Sequence, residues 1–220
     1  MKMLRVFFSK TGRAKYISHL DLARCLTRAF ARTDIPAWFT EGFNPHLYVT
    51  FALPLPLGFT SREESFDFRV LEDDYPPEQA AEKLGAVLPE GIRVLRAAPP
   101  VDDPSAITWA DYDIILAPRG DGAEELAGAL AAFLDRPEIL AEKKTKHRTH
   151  TVDLRPLLRV LSLGVEEDRV RLLLRLAAGG TANINPNLLL DAFSAAGGPA
   201  IDSQWIDRVA IRKEDLKVFH

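Results

Sequence analysis

The chain has 220 residues, 47% of them hydrophobic and 27% charged, a formal net charge of −3 and a single cysteine. That length allows one large domain or two small ones with cores of their own. One cysteine excludes an internal disulfide framework, a multi-cysteine zinc site and a self-contained iron–sulfur cluster.

No apolar run reaches the roughly 18 residues of a membrane helix. The start, "MKMLRVFFSKTGR", lacks a signal-peptide core. A cytoplasmic protein with no membrane contact is therefore expected. The small net charge hides a partition. Residues 1–50 hold eight Lys/Arg against three Asp/Glu, residues 51–142 seven against nineteen, and residues 143–220 thirteen against nine. Blocks of this kind can fold into separate basic and acidic surfaces, so an anionic partner stays open.

In chain order, a first strand is expected near Leu4–Ser9, then the basic loop "SKTGRAKY". "ISHLDLARCLTRAFART" reads as a helix with Ser18 as N-cap and Asp21 three residues on. Leu22, Cys25, Leu26 and Ala29 form its buried stripe, and Arg24, Arg28 and Arg32 recur at i+4 on another face. Pro36 ends it. "LYVTFA" is a second strand, stopped by the prolines of "LPLPLG". In "ESFDFRVL" Phe66, Phe68 and Val70 point one way, Asp67 and Arg69 the other. "PPEQAAEKLGAVLP" is a helix with its prolines at the start, and "IRVLRAA" a fourth strand.

After the Pro/Asp linker at 99–105 the order repeats. "WADYDIILA" is a strand and "AEELAGALAAFLD" a helix. "ILAEKKTKHRTHTV" gives one or two strands, followed by a short helix near "RPLLRVL". "RVRLLLRLA" is a strand, "NPNLLLDAFSAAG" a helix capped by Asn185, and "DRVAIRK" the last strand. The expected fold is α+β: two tandem ferredoxin-like (βαββαβ) units with antiparallel sheets, at 1–98 and 106–220.

Two places could carry chemistry. Strand alternation puts Lys144, Lys146, Arg148 and His150 on one face, Arg171 and Arg175 opposite the apolar residues of their strand, and Arg208 and Arg212 opposite Val209 and Ile211. Three basic rows on one sheet face could bind RNA or another anion. A solvated sheet or a domain contact would show the same pattern. The second place gathers Lys10, Arg13, Lys15, His19, Asp21 and Arg24 with Asn44 and His46. If "GFNPH" folds back onto the helix start, His19, His46, Asp21 and Lys15 could act as acid/base groups or metal ligands. Otherwise each histidine only caps or hydrogen-bonds, and Gly42 with Asn44-Pro45 makes a turn. Cys25, on the apolar helix face, reads as inert. No cofactor fingerprint or metal motif appears.

"FSKTGRAKYISHLDLARCLTRAF", "EGFNPHLYVTFALPLPLGFTSREESFDF" and, more weakly, "HRTHTVDLRPLLRVL" together resemble the radical-SAM-linked protein family, over nearly the whole chain. The resemblance implies a partner rather than an activity: a radical-SAM enzyme supplied by another chain. It also tilts the substrate toward RNA, because such domains lie near RNA-processing and ribosomal genes. Tyr16, Ser18, His19, Asp21, Gly42, Asn44, Pro45 and His46 occupy its motif positions, without assigned roles. The family commonly follows "NPH" with a proline and a basic residue, where this chain has Leu47 and Tyr48. Two functions follow as expectations. One is an accessory module that presents an RNA or other anionic substrate to a radical-SAM enzyme. The alternative is a stand-alone RNA-processing or metal-assisted enzyme using His19 and His46.

Overall fold

A computed structural model describes residues 1–120, 122–144 and 149–220. The fold is mixed α+β, with antiparallel strand pairing and four α-helices among the described residues. The chain divides into two compact units: Met1–Ala106 with Phe219–His220, and Ile107–Val218.

The first unit contains β1 (Lys2–Lys10), α1 (His19–Phe30), β2 (Val49–Phe51), β3 (Thr60–Val70), α2 (Pro77–Val87) and β4 (Ile92–Ala98). β1 lies between β4 and β3, and β2 pairs with β3. Period-two alternation turns Leu4, Val6 and Phe8 of β1 and Phe66, Phe68 and Val70 of β3 into one core. Leu22, Leu26, Ala29 and Phe30 of α1 join it from above, with Ala80 and Leu84 of α2. The Phe30 ring meets Phe68 edge-on at 4.8 Å. Of the sequence-predicted stripe, only Cys25 is incompletely buried. "GRAKY", expected as loop, forms a short 3-10 turn over Gly12–Tyr16.

The second unit contains β5 (Ile107–Pro118), α3 (Ala123–Leu134), β6 (Leu140–Lys144), β7 (Thr149–Asp153), β8 (Leu158–Glu166), β9 (Arg169–Ala177), α4 (Pro186–Ala195) and β10 (Ile201–Lys213). Its strands order as β10-β5-β9-β8, with β6 and β7 paired as a separate hairpin. Ala110, Tyr112, Ile114 and Leu116 of β5 and Leu172, Leu174 and Leu176 of β9 are buried. Phe133 and Phe193 meet between α3 and α4 at 5.4 Å. Asn185 caps α4 by accepting the Asn187 N–H, with Pro186 at the first helical position.

Two expectations need correcting here. "RPLLRVL" is not a helix: only Arg155–Leu157 makes a 3-10 turn, and Leu158 begins a nine-residue strand. A bulge between Arg208 and Ala210 breaks the alternation of β10. Ile206 and Ile211, five residues apart, are both buried, so the side-chain phase reverses across the bulge. Arg208 and Arg212 therefore do not form one row by simple alternation.

Candidate functional site

The motif segments meet at one end of the first unit. β1 ends on Lys10, whose side chain is buried and donates to the carbonyls of Ile17 (2.8 Å) and Lys15 (3.5 Å). The same Lys15 carbonyl accepts the Gly58 N–H at 2.8 Å, which brings the "LPLG" loop beside Tyr16. Gly91 supplies the floor: its carbonyl accepts the Thr11 N–H. At φ +85° a side chain there would set its Cβ 2.6 Å from Thr11 O and 2.8 Å from the Ala14 Cβ.

On this base α1 begins. Ser18 Oγ accepts the Asp21 N–H and donates to the Asp21 carboxylate at 2.7 Å. Arg24 adds a contact at 3.1 Å. The Ser18 and Arg24 hydrogen bonds hold the Asp21 carboxyl below its ordinary pKa. Asp21 is thus engaged in capping the helix. The Lys15 ammonium lies 5.1 Å from the Tyr16 ring centre, and Arg13 is exposed in the same turn. His19 rests edge-on against Phe51, the last residue of β2, at 4.7 Å.

His46 lies five residues before Phe51, at the foot of another feature. Trp38–Thr40 and His46–Tyr48 pair as a small hairpin: Thr40 N–H donates to His46 O, and Phe39 bridges Leu47. Residues 41–45 are its tip, with Gly42 at φ +119° and Asn44, Pro45 and His46 exposed. His46 Nδ1 lies 2.9 Å from Thr40 Oγ1 and 3.2 Å from Asn44 O, and the His46 N–H donates to Thr40 Oγ1. Its ring is turned onto its own loop in either tautomer. Behind the tip the Arg69 guanidinium lies 5.2 Å from the Trp38 ring and 4.7 Å from Tyr48.

His19 and His46 therefore share no hydrogen bond or ring contact among the described residues. No group of three His, Cys, Asp or Glu side chains able to hold a metal occurs among them either. The motif end also presents apolar side chains: Tyr16 and Leu20 are each about two-thirds exposed, and Leu57 is 59% exposed.

The second unit treats its arginines differently. Asp111 and Asp113, alternate residues of β5, face the basic residues of the neighbouring strands. Asp111 binds Arg175 at 2.6 Å and also accepts from Arg212. Asp113 holds Arg171 in two bonds, 2.9 and 2.8 Å, and Glu166 is a second partner at 3.0 Å. Burial works against the Asp111 carboxylate, but the hydrogen bonds from Arg175 and Arg212 outweigh it and its pKa falls below the ordinary value. Asp113 and Glu166 raise the pKa of Arg171. The expected basic face is, at these three positions, an ion-paired ladder. Arg208 is buried, and His150 is exposed on β7 opposite Lys143. Lys144 is the last residue of β6. Lys146 and Arg148 lie outside the described residues.

One feature was visible in the sequence but not assigned to a site. Arg24, Arg28 and Arg32 line a groove of about 720 Å³ between α1 and the end of α2, with Asp21, Cys25, Ala31, Val87 and Pro89. The i+4 spacing of the arginines was its signal. Its concavity depends on α2, which spacing alone does not reveal.

No curated protein matches the chain. A bacterial family described as "Uncharacterized protein conserved in bacteria (DUF2344)" matches residues 3–186, a description that names neither a radical-SAM partner nor RNA. The match takes in the whole motif end, the arginine groove and the ladder except Arg212, and the chain belongs to that family.

Proposed function

We propose that the chain is an accessory binding module of the bacterial cytoplasm, working with a separate radical-SAM enzyme and holding an RNA or other anionic substrate for it. The observation that carries this reading is the character of the motif end. Its polar residues are spent on building the end: Lys10 on carbonyls, Ser18 and Asp21 on the cap, His46 on its own loop. Among the side chains left facing outward are Tyr16, Leu20 and Leu57, which suit contact with another protein better than catalysis. A chain with one cysteine needs a partner to supply the three-cysteine cluster of radical-SAM chemistry. We read both units as ferredoxin-like, a reading supported by strand orders that, with the β6–β7 pair set aside, place the first and third strands of each side by side. The partner's identity rests on the resemblance in the motifs.

The test is co-purification from the native host with tagged wild type and Leu20→Glu. Wild type is expected to retain an iron–sulfur protein bearing a three-cysteine motif, and the variant to lose it while keeping its circular dichroism spectrum. Absence of such a protein, or its equal retention by both, overturns the reading.

A further inference from the structure

The groove on α1 leaves positive charge available. Arg24 and Arg28 stand one helical turn apart, about 6 Å along the axis, and Arg32 continues the row just past the helix end. Arg24 is partly neutralised by Asp21, the one carboxylate lining the groove. Arg32 gives one N–H to Val87 O at 2.8 Å, which leaves most of its five donors. Arg28, in the middle, has no ion-pair or hydrogen-bond partner among the described residues. This contrasts with Arg171, Arg175 and Arg212, each of which the fold provides with a carboxylate.

The walls are as informative as the charges. Ala31, Val87, Pro89 and the half-buried Cys25 give an apolar surface beside the arginines. A single phosphate would be gripped by donors converging on one point. A row of guanidiniums along an open trough suits a chain of phosphates, and the apolar wall suits bases or riboses between them. An acidic peptide would satisfy the charges but leave that wall without a flat partner.

We infer that this groove binds a single-stranded RNA, its phosphates along Arg24, Arg28 and Arg32 and its bases against Val87 and Pro89. This deepens the proposed function and rests on its reading of an RNA substrate. The contacts are to the phosphate backbone and an apolar wall with no base-edge readout, so binding is sequence-tolerant and falls steeply with salt.

Cys25 makes the test specific, because it is the chain's one thiol and it lines the groove. The experiment measures the rate of Cys25 alkylation by iodoacetamide in the full chain, with and without a 12-residue oligouridylate. Anisotropy of the same oligonucleotide reports total binding. Bound RNA is expected to slow alkylation at least fivefold, an effect removed by high salt and lost in Arg28→Ala, with each variant compared with its own RNA-free rate. RNA that binds without slowing alkylation overturns the groove as the site and leaves the accessory-module reading standing. No RNA binding even at low salt overturns both the groove and the RNA substrate. Equal protection by polyglutamate, or by inorganic phosphate at equal phosphate concentration, overturns the assignment to an RNA strand.

Discussion

Arg5 of β1 and Asp67 of β3 are direct cross-strand partners, joined by two bonds: Nε to Oδ1 at 2.6 Å and Nη2 to Oδ2 at 2.7 Å. The guanidinium is fully buried, and its remaining nitrogen donates to Asp102 O and His220 O. The Phe219 ring lies 4.5 Å from it. One arginine thus ties the first unit's sheet to the chain segments at 102 and 219–220.

Removing the carboxylate strands a buried charge. Asp67→Asn is expected to cost about 3–5 kcal/mol and to loosen the 219–220 segment. Urea denaturation measures the first, and amide exchange at His220, whose N–H donates to Asp102 Oδ2, the second. A cost under about 1 kcal/mol would mean that the pair is worth no more than a surface bridge.

The Asp111 node gives a pH dependence with a defined sign. Its carboxyl pKa is lower in the folded protein than its ordinary value of 3.8. Its contribution is therefore complete above that value and disappears as pH falls through the folded pKa. Asp111→Asn should be clearly less stable than wild type at pH 7, with the gap in Tm narrowing below about pH 4. Thermal melts of both proteins between pH 7 and pH 2.5 test this. A gap that stays constant contradicts it.

The N-cap of α1 is a local contribution. Ser18→Ala removes the acceptor for the Asp21 N–H and is expected to cost about 1 kcal/mol, read by urea midpoint. Ser18→Thr or Ser18→Asp should recover most of it. If Ser18→Ala is neutral, the Lys10 anchor alone fixes the helix start.

His19 and His46 have separate partners, Phe51 for one and Thr40 with Asn44 for the other. Their alanine substitutions should therefore be additive in stability to within about 0.5 kcal/mol. The pair His46 and Thr40, by contrast, should couple. A double-mutant cycle showing strong coupling between the two histidines would favour the enzyme reading.

Local signals were legible in the sequence wherever one element suffices to produce them. Ser18 and Asn185 announce helix starts because a cap is built from residues three or fewer apart. Phe66, Phe68 and Val70 announce a core face because alternation is a property of one strand. The ion pairing of the arginine rows stayed hidden for the complementary reason. Asp111 and Asp113 were in view on "WADYDIILA", but their pairing with Arg171, Arg175 and Arg212 is fixed by the registers of β5 with β9 and β10. The bulge at Val209 likewise has no glycine or proline to mark it. At the motif end, His46 reads from the sequence either as a site residue or as a hydrogen-bonding one. Its explanation is a hydrogen bond to a threonine six residues earlier, available only once the hairpin exists.

The buried ammonium of Lys10 bears on how this family should be probed. It fixes two carbonyls at the foot of the motif, while Gly91 leaves the space in which that turn sits. A saturation scan scored by loss of function would rank these two positions among the most sensitive of the chain. Sensitivity here maps the scaffold, and the proposed contact surface lies among positions such as Leu20 and Arg28, where substitutions are expected to leave the fold intact and show themselves only when a binding partner is in the assay.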